Sequence, residues 1–108
     1  MRLLFITFAP SMWIVKRKTL HEFWLKYEDS KQQLLEWFHT ARRAHWVSIN
    51  DVRKDYPSAD LVDGKKVVFN IKGNKYRLII KVNFEYHKAW IKFIGTHAEY
   101  DKIDIRTF

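Results

Sequence analysis

The sequence predicts an α+β fold: a three- to four-stranded, mostly antiparallel sheet, N-terminal helices packed on one face, and a short C-terminal helix. Three observations carry this. Apolar residues recur at helical spacing between residues 20 and 45 and alternate at strand spacing between 67 and 95. A capping box, Thr96-His97-Ala98-Glu99, then follows. With 108 residues and no linker or repeat, one domain over 12–108 is expected.

Residues 1–11, MRLLFITFAPS, stand apart. Their apolar run, Leu3 to Phe8, is far shorter than the roughly 20 residues of a membrane helix, and no small-x-small cleavage site follows it. Two readings stay open: an extension ahead of a start at Met12, or an extra N-terminal strand. Residues 13–16 read as a short strand. Thr19-Leu20-His21-Glu22 reads as a capping box, followed by Leu20, Phe23, Trp24 and Tyr27 on one helical stripe. Asp29-Ser30 breaks that helix. Ser30-x-x-Gln33 caps the next, with Leu34, Trp37, Phe38, Ala41 and His45 along its inner side. Lys31, Arg42 and Arg43 lie off the stripe, as a solvated face or a second phosphate-contacting patch. Ser48 is the N-cap expected of a third helix, which Pro57 ends. Residues 58–66 read as a loop holding an Asp63-Gly64 turn.

The hairpin that follows can be tested against itself. Gly73-Asn74 is a two-residue turn between two β-rich runs. It sets Ile71 opposite Tyr76, Asn70 opposite Arg77, Phe69 opposite Leu78 and Val67 opposite Ile80. Opposite residues share a face. One face is then apolar, from Val67 through Tyr76 to Phe84; the other carries Asn70, Lys72, Lys75, Arg77 and Lys81. A third strand, 89–95, adds Ile91 and Phe93 to the apolar side and Trp90, Lys92 and Ile94 to the basic one, with Phe84 opposite Ile91 or Ala89. The basic side is either a nucleic-acid surface or is half-covered by a helix. A helix begun at Thr96 gathers His97, Tyr100 and Asp101 on one side of its first turn.

Composition narrows the chemistry. A net charge of +8 favours anionic partners. No cysteine is present, which excludes disulfides and thiol catalysis. The five histidines form no H-E-x-x-H, so no metal and no cofactor are expected, and three glycines build no phosphate loop. Metal-free RNA cleavage requires a base for the 2′-hydroxyl, an acid for the departing 5′-oxygen and a cation for the phosphate. Histidine changes charge near neutral pH, so His97 can serve as base or acid. Tyr100 can donate a proton or orient the phosphate, Asp101 can hold the imidazole in one tautomer, and the Arg77 fork fits phosphate oxygens. Lys72 and Lys75, flanking the turn, suit backbone contacts; Lys81, Lys92 and Asn70 extend the same RNA-binding face. His97 and Tyr100 could instead simply pack the last helix onto the sheet. Trp90 could lie under a helix or stack a base, Glu99 is a cap, and Asn74 serves turn geometry.

The segments VVFNIKGNKYRLIIKVNF and GTHAEYDKID resemble the HigB family of toxins from bacterial toxin–antitoxin pairs, within the RelE-like mRNA interferases. The resemblance spans residues 12–104 and implies a RelE-like fold and a cytoplasmic endoribonuclease that inhibits translation. It implies mRNA as substrate in the ribosomal A site and a helix-turn-helix antitoxin, HigA-like, as partner. It implies no membrane, and operator DNA only through the antitoxin complex. It also favours a start near Met12. The alternative is a non-catalytic basic module that binds RNA or protein.

Overall fold

The computed structural model describes residues 11–107, so the question raised by residues 1–10 lies outside the described chain. Strand β1 (Trp13–Val15) leads into helices α1 (Lys18–Lys26), α2 (Lys31–Arg43) and α3 (Ile49–Asp55). Strands β2 (Asp60–Val62), β3 (Lys66–Ile71), β4 (Tyr76–Asn83) and β5 (Lys88–Thr96) follow, then α4 (His97–Asp101). The sheet has five strands in the order β1-β5-β4-β3-β2, one more than the upper limit expected from the sequence. The additional strand is β2, in the stretch expected to be loop. It pairs Leu61 with Val67 across the Asp63-Gly64 turn, whose residues take φ of 56° and 68°. Three residues are too few to reveal a period. β1 runs parallel to β5 and every other pair is antiparallel.

The β3–β4 register is the expected one, from Ile71 opposite Tyr76 to Val67 opposite Ile80. The apolar face of this ladder meets Leu20, Trp24, Leu34, Trp37, Ala41 and Val52 from the helices in one buried cluster. Area removed from water there is the principal stabilising term. α2 ends at Arg43, so His45 falls beyond the helix and is exposed rather than on its inner stripe. Three expected caps make no side-chain capping bond: α1 begins at Lys18, ahead of Thr19; Ser30 stands at the N-cap of α2 but donates its hydroxyl to Tyr27 O at 2.7 Å; and Ser48 stands at the N-cap of α3 without a capping hydrogen bond.

β5 departs from the expected faces. Ile79 pairs with Phe93, but Ile80 pairs with Ile91, so Lys92 is the extra residue of a bulge. One inserted residue exchanges the faces beyond it. Ile94 therefore sits beside Leu78 and packs on the core, while Phe93 joins Ile79 on the outer face. The ladder ends at Asn83–Lys88, so Phe84 faces neither Ile91 nor Ala89 and lies in the turn. The outer face is partly covered. Val68 and Ile79 are buried, and buried Lys66 donates from Nζ to Ile105 O at 2.7 Å, in the segment after α4. Trp90 is half-buried on that outer face, opposite Lys81. Among the described residues no helix is long and apolar enough to cross a membrane.

Gly95 lies where an added side chain would have to displace its neighbours. A Cβ there would stand 2.5 Å from Phe93 Cζ and 2.9 Å from Glu99 Oε1. Gly95→Ala is therefore expected to destabilise the fold by about 1–3 kcal/mol, read as a lower urea midpoint at constant m-value.

Candidate functional site

The site is built on the turn between β3 and β4. Lys72 and Gly73 take φ of 55° and 63°, the left-handed region that glycine enters freely, and Lys75 N donates to Lys72 O at 3.1 Å. Asn74 does more than turn the chain. Its carbonyl accepts from Arg77 Nη1 at 3.2 Å and its Oδ1 from Arg77 Nη2 at 3.1 Å. Two contacts on one planar fork fix its orientation. The guanidinium carbon lies 5.7 Å from the centre of the Tyr100 ring.

Tyr100 belongs to α4, a helix of five residues that depends on its cap. Glu99 N donates to Thr96 Oγ1 at 3.1 Å and Thr96 N to Glu99 Oε1 at 2.8 Å, the capping box expected from the sequence. The Thr96 amide holds the Glu99 carboxyl below its ordinary range, with the charges of Lys26 and Lys102 acting in the same direction. His97 N donates to Lys75 O at 3.0 Å, which ties α4 to the same turn. One helical turn joins His97 Nδ1 to Asp101 Oδ2 at 3.0 Å, with side chains 45% and 58% exposed. Neither His97 nor Tyr100 is sealed in the interior. The contact orients the ring: a neutral imidazole that donates from Nδ1 to the carboxylate carries its lone pair on Nε2. The cluster thus offers a proton acceptor, a phenol and a fixed cation.

The remaining residues divide. Lys72, Lys81 and Lys92 carry exposed side chains. Lys75 is ion-paired with Asp29, which also accepts from the Tyr76 hydroxyl at 2.5 Å. Asn70 stands opposite Arg77 but lines a separate cleft of about 360 Å³ with Glu36 and Asp55, whose carboxylates disfavour phosphate. Among the described residues no three His, Cys, Asp or Glu gather as a metal set. Sequence reasoning missed Asp29, Lys26 and the second role of Asn74. Only Asn74 had a signal, its spacing of three from Arg77 across a tight turn. Asp29 lies 46 positions from Lys75, and nothing local links them.

Residues 30–103 match the family described as HigB_toxin, RelE-like toxic component of a toxin-antitoxin system. The chain is 30% identical over 92 residues to the mRNA interferase toxin HigB of Escherichia coli strain K12, covering 83% of this chain and 88% of the relative. The mRNA interferase HigB of Shigella flexneri matches to the same extent. That of Escherichia coli O6:H1 is 27% identical over 94 residues, covering 85% and 91%.

The Asp29 contacts have a pH signature. Hydrogen bonds from Lys75, first, and from Tyr76 hold its carboxyl below the ordinary value of 3.8. A pKa lower in the folded than in the unfolded state gives stability that is complete above the unfolded value and lost as pH falls through the folded one. Thermal midpoints of the wild type should fall as pH drops below 3.8, and Asp29→Asn should show a lower midpoint at neutral pH and a shallower acid decline. Parallel curves for the two proteins would remove this coupling.

Proposed function

The chain belongs to the HigB family of RelE-like toxins, and from that premise we propose that it is an endoribonuclease that cleaves mRNA and so inhibits translation. The observation that carries this reading is the exposed His97–Asp101 pair beside a Tyr100 ring packed on the Arg77 guanidinium. His97 Nε2 takes the proton of the 2′-hydroxyl. The 2′-oxygen attacks phosphorus, the bond to the 5′-oxygen breaks, and Tyr100 protonates the departing oxygen. Arg77 holds the non-bridging oxygens as charge builds on phosphorus. Asp101 is a positioning residue that acts through the imidazole. No metal is assigned a step. Lys72, Lys81 and Lys92 contact the RNA backbone, whereas Lys75 and Asn70 are engaged elsewhere and are secondary. The substrate is mRNA held in the ribosomal A site, in the cytoplasm. The antitoxin is a helix-turn-helix protein of the HigA kind, encoded by a neighbouring gene, and operator DNA is met only through its complex.

Induced expression in a bacterium is expected to arrest growth and deplete mRNA, and Arg77→Ala or His97→Ala to relieve the arrest with the fold retained. Cleavage by His97→Ala should fall by about 10²–10⁴-fold, the usual worth of a general acid or base. Normal growth with soluble wild-type protein would favour a binding module without catalysis. A second outcome concerns chemistry: end-group analysis should find 2′,3′-cyclic phosphate or 3′-phosphate, and 3′-hydroxyl ends would overturn the assigned roles.

A further inference from the structure

The outer face of β1 and β5, at the end of the sheet away from α4, has a composition the cleavage site does not explain. Trp13 is 65% exposed on β1, an edge strand among the described residues. It stands opposite Lys88, whose Nζ lies 5.0 Å from the centre of an indole ring face. Val15 stands opposite Trp90, and Trp90 opposite Lys81. Paired residues share a face, so Trp13, Lys88, Trp90 and Lys81 lie together on the outer face of three strands. Ile14, Ala89, Ile91 and Val82 take the opposite face and enter the core. Folding therefore does not account for the exposed indole, since a core-facing position was open to apolar residues one place along the strand.

We infer that Trp13 and Lys88 form a stacking platform for an unpaired base of single-stranded RNA that continues beyond the cleaved link; this rests on the reading of the chain as an RNA-cleaving toxin. An indole offers a π-face to any base, and neighbouring cations hold the phosphates. Lys88 covers at most one side of the ring. β5 joins the two places: from Lys88 to Thr96 it extends about 26 Å at ~3.3 Å per residue, with exposed Lys92 between them at the bulge. Charge decides the occupant. A chain of net charge +8, with Lys88 against this indole and Lys81 opposite the neighbouring Trp90, matches a polyanion better than an apolar protein surface.

The test uses the full chain carrying His97→Ala, so that RNA stays intact, and two labelled probes: a trinucleotide, which reaches only the α4 end, and an unstructured 12-mer. Trp13→Val removes the ring and keeps a strand-favouring residue. It should weaken 12-mer binding about tenfold, within the range for one stacked base, and leave the trinucleotide unchanged, while Trp13→Phe retains most of the affinity. Lys88→Ala should lower the salt dependence of 12-mer binding by about 0.7 in the log–log slope, one phosphate contact. Equal 12-mer affinity in Trp13→Val and its parent would overturn the platform. Unchanged RNA binding with a weakened antitoxin complex would assign the patch to a protein and also overturn it. If the parent binds neither probe, the RNA-cleaving reading falls first and the platform with it.

Discussion

Four residues, Lys72 to Lys75, hold the site together. The chain reverses there, and contacts from three directions converge on the reversal. Gln33 of α2 accepts from the Lys72 amide at 2.5 Å, and Asp29 takes the Lys75 ammonium. The Lys75 carbonyl receives His97 N at 3.0 Å, and Asn74 grips Arg77. A tight hairpin turn standing alone would be free to twist. Tied to the helical layer on one side and to α4 on the other, it holds the guanidinium through Asn74 and the start of α4 through the His97 amide on one turn. Preorganised charge of this kind is what stabilises a transition state without reorganisation at the moment of reaction.

The same turn explains why the positive charges are not equivalent. Burial and the Asp29 hydrogen bond push the Tyr76 phenol up, and Asp29 in turn is held ionised by Lys75 and Tyr76. Lys75 thus serves the attachment of the sheet to the 3₁₀ turn between α1 and α2. Arg77 instead donates to oxygen atoms of neutral groups, the Asn74 and Tyr76 carbonyls and Asn74 Oδ1. Its charge remains available to an anion, whereas that of Lys75 is largely neutralised. Net charge predicts an anionic partner but does not distinguish these two cations; the carboxylate beside one of them does.

The bulge at Lys92 divides the outer face. On one side of it Phe93 turns outward, and its ring and the capping Glu99 both approach Gly95. This closes the sheet beneath α4 and gives that short helix something to stand on. On the other side the face is open, with Trp13, Lys88 and Lys81 accessible or partly so. A single extra residue therefore separates a packed region beneath α4 from a solvent-facing region.

The sequence by itself determined the hairpin register, the helical layer over its apolar face, the α4 capping box and the gathering of His97, Tyr100 and Asp101. Each follows from contacts between residues a few positions apart or from strict alternation, and these are written in the order of the chain. Tertiary structure decided the rest. Three residues paired as β2 only because β3 offered them an edge. The bulge moved Ile94 inward because Leu78 and the core lie there. Asp29 captured Lys75 and Tyr76 across 46 or more positions, a distance over which no local pattern operates. Asn74 became a ligand of Arg77 once the turn placed its side chain beside the guanidinium. Pairings of this sort depend on which surfaces meet when the sheet packs, and that is settled by the shape of the folded chain, not by its local periodicity.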